Sequence, residues 1–353
     1  MDLKQRIKAF DLLGSYLRNY SSKNEVDTNY EALENAIIKA KVKNQWFTSE
    51  NSRIALSAWA DELKTVKLNA WVADYSISEN TPKNIGIIMA GNLPLVGFHD
   101  LLTVLLSGNK ALVKASSDDS ELMPFILNKL IEFEPEFRPL IERVEKLTKP
   151  DAVIATGSNN TARYFEAYFN KYPNIIRKNR NSVAVISGDE TEEDFKRLAD
   201  DLFMYFGLGC RNVTKLYLPK GFDLNRIFAG IFHYDEIGYH NKYGNNYDYY
   251  RAIYMLNKEP FLENGFAILR ENKNLGSPVA VINYEFYDNL EKLKQELKSV
   301  EEKIQCIVSL EKSIENSVRF GHSQKPALND YADGVDTINF LIKLFSAAQL
   351  GRL

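Results

Sequence analysis

Cysteine and histidine are scarce in this chain, which has two cysteines and four histidines among 353 residues. Two cysteines in so long a chain do not make a disulfide framework, so we expect a reducing, cytoplasmic setting. Neither residue type shows the spacing of metal ligands, and we therefore predict that the protein binds no metal.

Excess charge and long apolar runs are also missing. A formal net charge of -3 gives no electrostatic footprint for nucleic acid or for an anionic membrane. No apolar run is long enough to cross a bilayer, and the first residues lead into an amphipathic pattern rather than a signal peptide. We therefore expect neither a nucleic acid nor a membrane as partner.

What is present is ample apolar material in two alternating patterns. Residues 2 to about 66 repeat apolar side chains at helical spacing, and short apolar runs typical of buried strands follow at 84–90, 110–114, 151–155 and 182–186. Helical patterns separate these runs, which predicts a parallel sheet with helices on both faces. Further runs at 213–218, 278–282 and 303–308 predict a second α/β unit.

The order of these patterns predicts an α/β protein with a Rossmann-like parallel-sheet cofactor domain and a second α/β catalytic domain. We place the N-terminal helices and the nucleotide-binding domain at 1–188 and the catalytic thiol domain at 189–320. The C-terminal segment, 321–353, is expected either to return to the first domain or to form an interface.

One cysteine lies in a setting that suits nucleophilic chemistry. Cys210 follows Gly207-Leu208-Gly209, so its thiol lies on a glycine-rich loop whose backbone amides could face a substrate oxygen. The adjacent Arg211 would favour the thiolate. The alternative is a buried structural cysteine. We assign that structural role to Cys306 instead, because it lies inside an apolar run.

Polar residues at the ends of the predicted strands are candidates for substrate and cofactor binding. Asn92 could donate its side-chain amide to an oxyanion, and Lys114 could reach a ribose or a phosphate beyond the carboxyl end of its strand. Thr156-Gly157-Ser158 offers N–H groups and hydroxyls where a helix begins, as phosphate sites do. The alternatives are a turn asparagine, a solvated lysine and an ordinary helix-capping turn.

The stretch from 233 to 254 is rich in tyrosine and asparagine and contains His233 and His240. We expect these histidines to pack or to lie in loops rather than to act as acid–base catalysts. The tyrosines are expected to line or cover a surface.

Together these motifs resemble the aldehyde dehydrogenase superfamily. The resemblance rests on the spacing of four stretches: Gly91-Asn92-Leu93-Pro94, residues 108–114, residues 156–158 and residues 207–210. The fuller phrase at 87–100, with Leu105-Leu106-Ser107-Gly108-Asn109, is similar to the LuxC-type acyl-CoA reductases. The similarity extends from about residue 80 to the segment at 331–337.

The resemblance implies a role for each matching position. Cys210 falls on the catalytic thiol of the family and Asn92 on its oxyanion asparagine. Lys114 falls on the lysine that contacts the cofactor ribose, and residues 156–158 fall on the turn near the cofactor phosphates. Ser116 and Ser117 follow Lys114 and are implied cofactor contacts. The segment Gly276-Ser277-Pro278 resembles the one that hydrolytic relatives place near the nicotinamide.

Two departures from the family pattern refine this interpretation. Hydrolytic relatives carry a water-activating glutamate where this chain reads Ile176-Arg177-Lys178-Asn179, so hydrolysis of the acyl-enzyme is poorly supported. Relatives that prefer NAD often carry a glutamate where this chain has Ser117. A neutral serine removes repulsion against a 2′-phosphate, which favours NADPH, with NADH as the alternative.

The resemblance implies an NAD(P)H-dependent reduction of an acyl thioester to an aldehyde through a Cys210 acyl-enzyme, in fatty acid metabolism. The expected partners are an acyl-CoA or acyl-carrier-protein substrate, an acyl-activating partner enzyme and further copies of the chain in a homo-oligomer. Two alternatives stay open: an acyl-phosphate reductase like glutamyl phosphate reductase, and a non-catalytic acyl-transfer partner subunit.

Overall fold

The computed structural model describes residues 1–21, 28–77 and 81–350, with the side chains of 345–350 excepted. The chain divides into two compact units. The first comprises Met1–Lys178 and Ala327–Leu353, and the second comprises Asn179–Pro326. The division after residue 178 lies ten positions before the predicted boundary at 188, so residues 179–188 belong to the second unit.

The first unit begins with helices, as the apolar periodicity predicts. Helix α1 buries Ile7, Phe10, Leu13 and Leu17 along one face, and this spacing of three and four residues is that of an amphipathic helix. The hydroxyl of Thr48 caps α3 by accepting the N–H of Asn51. The four helices are α1 (Leu3–Ser21), α2 (Glu31–Lys43), α3 (Ser49–Glu62) and α4 (Thr65–Val72).

A five-stranded parallel sheet follows, in the order β3-β2-β1-β4-β5. Its central strands are buried, which explains their continuous apolar sequences. The short edge strands β3 and β5 were not predicted. In chain order the elements are β1 (Asn84–Ile88), α5 (Phe98–Leu106), β2 (Lys110–Lys114), α6 (Leu122–Phe133), β3 (Ile141–Arg143), β4 (Ala152–Thr156), α7 (Asn159–Phe169) and β5 (Asn174–Arg177).

The second unit contains a six-stranded sheet in the order β11-β6-β7-β10-β9-β8, parallel except for the pairing of β8 with β9. In chain order its elements are β6 (Asn181–Val185), α8 (Glu192–Phe203), β7 (Val213–Pro219), α9 (Asn225–Ile231), α10 (Asn241–Leu256), β8 (Leu262–Glu263), β9 (Ile268–Glu271), β10 (Val281–Tyr287), α11 (Leu290–Ser299) and β11 (Ile304–Val308).

Two predicted strands of this region need correction. The run at 182–186 was placed in the first domain, but it forms β6, which pairs with β7 and β11 of the second sheet. The run at 278–282 enters its strand only at Val281. Residues before it form a turn, in which Val281 donates its N–H to the carbonyl of Pro278 and Ala280 has a left-handed φ of 68°.

The chain returns to the first unit after residue 326 and ends in α12 (Thr337–Leu350). Hydrogen bonds from aromatic side chains hold the returning segment. The indole N–H of Trp71 donates to the hydroxyl of Tyr331 at 2.9 Å, and the hydroxyl of Tyr75 donates to Asp336 at 2.9 Å. This segment therefore contributes to the packing of the N-terminal helices.

A buried ion pair joins three elements of the first unit. Arg177, at the end of β5, pairs with Asp100 of α5, and both side chains are 7% exposed. Its guanidinium also donates to the hydroxyl of Thr337 at the start of α12, at 3.2 Å. A buried pair that loses one partner leaves an uncompensated charge in a poorly solvated site.

We therefore expect Arg177→Met to lower the free energy of unfolding by about 3–5 kcal/mol, because Asp100 would stay buried without its cation. The neighbouring Lys178 provides the control. It pairs with Glu166 at 2.7 Å, but both side chains are about half exposed, at 54% and 47%. Lys178→Met should change the stability by no more than about 1 kcal/mol. Denaturant unfolding of both variants measures the difference, and equal losses would contradict the assignment.

Candidate active site

The loop that carries Cys210 begins with a strained turn. Tyr205, Phe206 and Gly207 follow one another with φ values of 53°, 61° and 73°, all in the left-handed region. Left-handed backbone costs about 1–3 kcal/mol for a non-glycine residue and persists only where surrounding contacts impose it. The turn reverses the chain between α8 and β7 and leaves Cys210 exposed.

The buried amide side chain of Asn212 holds this loop in place. Its side-chain Oδ1 accepts the N–H of Gly209 at 2.8 Å, and the backbone N–H of Asn212 donates to the carbonyl of Gly209 at 3.0 Å. Its Nδ2 donates to the carbonyls of Asp201 at 3.2 Å and Met204 at 2.9 Å. Asn212 is fully buried, so these bonds lie out of reach of competing water. Both ends of the loop are therefore tied to one side chain.

The second cysteine lies under the same loop in a different environment. The hydroxyl of Ser182 donates to the carbonyl of Cys210 at 2.9 Å and accepts the N–H of Cys306 at 3.2 Å. The thiol of Cys306 also donates to this hydroxyl, at 3.1 Å. Burial raises the pKa of Cys306 to about 11, so it stays a protonated, weakly nucleophilic thiol at neutral pH.

The turn at Gly276-Ser277-Pro278, which resembles the segment near the nicotinamide in hydrolytic relatives, is also fixed to the second sheet. Thr214 of β7 donates its hydroxyl to the carbonyl of Leu275 at 2.7 Å. Asn283 of β10 donates its amide to the carbonyls of Asn274 at 3.1 Å and Gly276 at 3.0 Å. Because Thr214 lies four residues after Cys210, the turn and the thiol loop share a rigid base.

In the first unit, the loops after β1 and β2 pack directly on each other. A side chain on Gly91 would clash with Ser116, so only glycine allows this approach. The N–H of Leu95 donates to the carboxylate of Asp119 at 3.0 Å, and burial raises the pKa of Asp119. Asn92 is exposed between these anchors, at the carboxyl edge of the sheet.

The predicted cofactor residues of β2 lie at the same edge. The ammonium of Lys114 donates to the carbonyl of Glu145 at 3.1 Å, which occupies one of its three protons. Ser116 accepts the N–H of Asp118 at 3.2 Å and so starts a short 3₁₀ turn. Ser117 follows and is exposed.

The turn after β4 completes this edge. Ser158 caps α7 by accepting the N–H of Thr161 at 3.2 Å, as the helix-cap interpretation expects. The N–H of Gly157 donates to the carbonyl of Arg177 at 3.3 Å and thus continues the sheet pairing. Thr156 ends β4. The turn can therefore offer the N-terminus of α7 to an anion, but without the Gly157 N–H.

The structure thus gathers Asn92, Lys114, Ser116, Ser117 and residues 156–158 at one edge of the first sheet, whereas Cys210 belongs to the second unit. No sequence motif points to Asn212 or Ser182. Their partners are mostly backbone groups, and those of Ser182 are 28 and 124 positions away in sequence.

The histidines of the tyrosine-rich stretch have structural contacts. The ring of His240 accepts the N–H of Tyr243 at 3.4 Å as the cap of α10 and stacks on Phe206 with ring centroids 4.3 Å apart. His233 donates from Nδ1 to the carbonyl of Gly230 at 3.0 Å. Both contacts agree with packing roles.

Among the described residues, no three histidine, cysteine, aspartate or glutamate side chains cluster so as to hold a metal ion. No helix within the described ranges is long and apolar enough to span a bilayer.

Comparison with protein families identifies the chain. Residues 15–225 match the family model of the acyl-CoA reductases (LuxC). The chain belongs to the LuxC acyl-CoA reductase family. The resemblance inferred from the motifs is therefore confirmed, and the protein is an oxidoreductase. The search of curated proteins found no match.

Solved structures show the same fold at low identity. An aldehyde dehydrogenase 21 from Physcomitrella patens, in complex with succinate, aligns with a TM-score of 0.68 at 12% identity, covering 98% of this chain and 84% of that one. An acetylating aldehyde dehydrogenase from Geobacillus thermoglucosidasius aligns with a TM-score of 0.64 at 9% identity, covering 96% and 90%. An indole-3-acetaldehyde dehydrogenase from P. syringae, in complex with NAD+, aligns with a TM-score of 0.65 at 12% identity, covering 90% and 74%. The LuxC-family chain therefore has the aldehyde dehydrogenase fold.

The contacts of Asn212 predict a large effect of its removal. Asn212→Ala leaves the N–H of Gly209 and the carbonyls of Asp201 and Met204 without their partner, and unpaired buried groups cost about 1–3 kcal/mol each. We expect a loss of at least about 2 kcal/mol in the free energy of unfolding, together with slower alkylation of Cys210.

The control is Asn225→Ala, which removes an exposed asparagine that bonds only locally, to Asp223 at 2.9 Å. Its stability should change by no more than about 0.5 kcal/mol. Denaturant unfolding and the rate of iodoacetamide labelling are measured for both variants. A wild-type labelling rate in Asn212→Ala would show that the amide does not position the thiol.

Proposed function

We propose that this enzyme reduces an acyl thioester, an acyl-CoA or an acyl-carrier-protein thioester, to an aldehyde through an acyl-enzyme on Cys210. The observation that carries the proposal is the exposed Cys210 on a loop fixed by Asn212, in a member of an acyl-CoA reductase family. A nucleophile held on a rigid loop needs no reorganisation when the carbonyl arrives.

The chain's own residues perform the acyl-transfer half of the reaction. The thiolate of Cys210 attacks the thioester carbonyl, a carbon–sulfur bond to the enzyme forms, and the carrier thiolate leaves and takes up a proton. The N–H of Cys210 and the amide of Asn92 are proposed to stabilise the oxyanion, at about 3–4 kcal/mol for each such donor. Reduced nicotinamide, when bound, would supply the hydride that turns the acyl-enzyme into the anion of a thiohemiacetal. Collapse of this anion releases the aldehyde and restores the Cys210 thiolate.

The surroundings of Arg177 support reduction over hydrolysis. Hydrolysis of an acyl-enzyme needs a base that activates water. The stretch at 176–179, which resembles the base-bearing segment of hydrolytic relatives, offers an arginine instead, and that arginine is buried in its pair with Asp100. The acyl-enzyme is therefore left for the reductant.

The carboxyl edge of the first sheet is the proposed cofactor site. Ligands of open α/β sheets bind beyond the carboxyl ends of the strands, where Lys114, Ser116, Ser117 and residues 156–158 lie. The similar enzyme from P. syringae was solved with NAD+. We propose NADPH as the cofactor of this chain, because the exposed Ser117 brings no negative charge to the site.

The acyl-enzyme can be tested by intact mass after incubation with acyl-CoAs or an acyl phosphate, without nucleotide. We expect an acyl adduct from an acyl-CoA in the wild type and in Cys306→Ala, and none in Cys210→Ala. Cys306 is the matched control because its pKa of about 11 keeps it protonated. An adduct that survives in Cys210→Ala and vanishes in Cys306→Ala would overturn the assignment, and an adduct from the acyl phosphate alone would make that donor the substrate.

The cofactor proposal predicts that Ser117→Glu weakens NADPH binding about tenfold or more, since a carboxylate a few Å from a 2′-phosphate repels it by about 1–4 kcal/mol. NADH binding should change much less. Ser120→Glu, also at an exposed position, controls for a general effect of added charge. Tryptophan quenching with both nucleotides gives the affinities, and an unchanged NADPH-to-NADH ratio in Ser117→Glu would show that this serine does not face the ribose.

A further inference from the structure

Hydrogen bonds fix the backbone on both sides of Cys210. The carbonyl of Gly209, before it, accepts the backbone N–H of Asn212 at 3.0 Å. The carbonyl of Cys210 itself accepts the hydroxyl of Ser182 at 2.9 Å. Because a residue has only two soft backbone dihedral angles, fixing the peptide planes on either side of it also fixes the directions of its side chain and its N–H. The bond from Ser182 therefore helps to orient the thiol.

The other hydrogen-bonding capacity of the Ser182 hydroxyl is already used. Its oxygen accepts the backbone N–H of Cys306 at 3.2 Å and the thiol of the same residue at 3.1 Å. A hydroxyl has one proton and two lone pairs, so its single proton is directed to the carbonyl of Cys210. Ser182 is fully buried, and water therefore does not compete for this bond.

The strand pairing around Ser182 is irregular on both sides. On the β7 side, Ser182 pairs with Val213 and the next residue of β6 pairs with Lys215. Thr214 is therefore an extra residue in β7. On the β11 side, two steps along β6 correspond to three steps along β11, in the stretch at 304–307. Bulges are frequent next to active sites, where they change the direction in which a side chain points. Here two of them flank the one serine that reaches the thiol loop.

We propose that Ser182 is a positioning residue for the acyl transfer, and that its hydroxyl aims the thiol and the N–H of Cys210 at the thioester carbonyl. Ser182 acts through Cys210 and does not touch the substrate. The inference rests on the proposed function and assigns to it a residue from β6, a strand that carries no other proposed site residue. A nucleophile that must meet a carbonyl and an oxyanion donor together depends on such support, because a displacement of about 1 Å can lower the rate about 10²-fold.

Ser309 provides a matched control in the same strand pair. It is also buried, and its hydroxyl donates to the carbonyl of Val185, at the other end of β6, at 2.8 Å. Its oxygen accepts the N–H of Glu311 at 3.1 Å, so it makes the same kinds of bond as Ser182. Ser182→Ala and Ser309→Ala each remove a donor from a buried carbonyl, and thermal unfolding should therefore show similar losses of stability. They differ in which carbonyl loses its partner.

The experiment measures the acylation of Cys210 without nucleotide. The probes are butanoyl-, octanoyl- and tetradecanoyl-CoA, and the one that acylates the wild type fastest is used for all variants. Samples are quenched in acid at set times, and the acyl adduct is quantified by intact mass at several thioester concentrations. The limiting rate and the concentration that gives half of it are then compared for the wild type, Ser182→Ala, Ser182→Thr and Ser309→Ala.

We expect the limiting rate of Ser182→Ala to fall about tenfold or more, because the nucleophile is no longer aligned. Its half-saturating concentration should change by no more than about twofold, since no contact with the substrate is lost. Ser309→Ala should keep both values despite its lower stability. Ser182→Thr retains the hydroxyl and should keep the limiting rate within about threefold of the wild type.

A wild-type limiting rate in folded Ser182→Ala would overturn the inference, and so would an equal loss in Ser309→Ala or a rate in Ser182→Thr as low as that of the alanine variant. If Ser182→Ala does not fold, the rate of Ser182→Thr decides. In each of these cases the wild type is still acylated, so the proposed function stands. If none of the three acyl-CoAs acylates the wild type at Cys210, the proposed function fails, and the inference fails with it.

Discussion

The buried amide of Asn212 is the constraint on which the loop of Cys210 depends. Tyr205 and Phe206 adopt left-handed backbone that bulky residues avoid, and the amide compensates by bonding the carbonyl of Met204 and the N–H of Gly209. The ring of Phe206 adds packing against His240, at the start of α10. The tyrosine-rich helix thus supports the turn before Cys210. A single polar side chain and an aromatic contact therefore hold the exposed thiol in one position, which an extended loop without them would not do.

At the carboxyl edge of the first sheet, buried contacts also hold the loops in place, but they are made by a glycine and a carboxylate. The loop after β1 lies against Ser116 because Gly91 has no side chain, and the carboxylate of Asp119 holds the N–H of Leu95. The same carboxylate accepts the N–H of Met123 at the start of α6, at 3.1 Å. One buried acid therefore fixes both the loop of Asn92 and the helix that follows Ser117. Rigid backbone at a strand edge leaves exposed side chains in defined positions, which suits binding of a large polar cofactor.

The central strands could be predicted from the sequence because parallel strands that are buried on both faces have continuous apolar sequences. It did not predict β3 and β5, which are short and partly polar edge strands, and it misplaced β6 because an apolar run does not reveal which sheet it joins. Cys210 and the residues at the first sheet's edge are candidates from motifs of adjacent residues. Asn212 was missed because its hydrogen-bond partners are backbone groups, which only the folded turn brings close to it.

The pairing of Arg177 with Asp100 links the fold to the proposed reduction of the acyl-enzyme. A catalytic base must reach solvent water and stay partly unprotonated, whereas this position holds a cation buried against a carboxylate and tied to Thr337. Replacing the arginine by glutamate would put two acids together in the interior and remove the bond to α12, so a hydrolytic base cannot arise there without loss of stability. The chain segment that returns to the first unit supplies Thr337 and therefore stabilises Arg177. Water activation would require another side chain in place of this arginine. In the proposed reaction, the lack of a hydrolytic base follows from the same contacts that hold the first unit together.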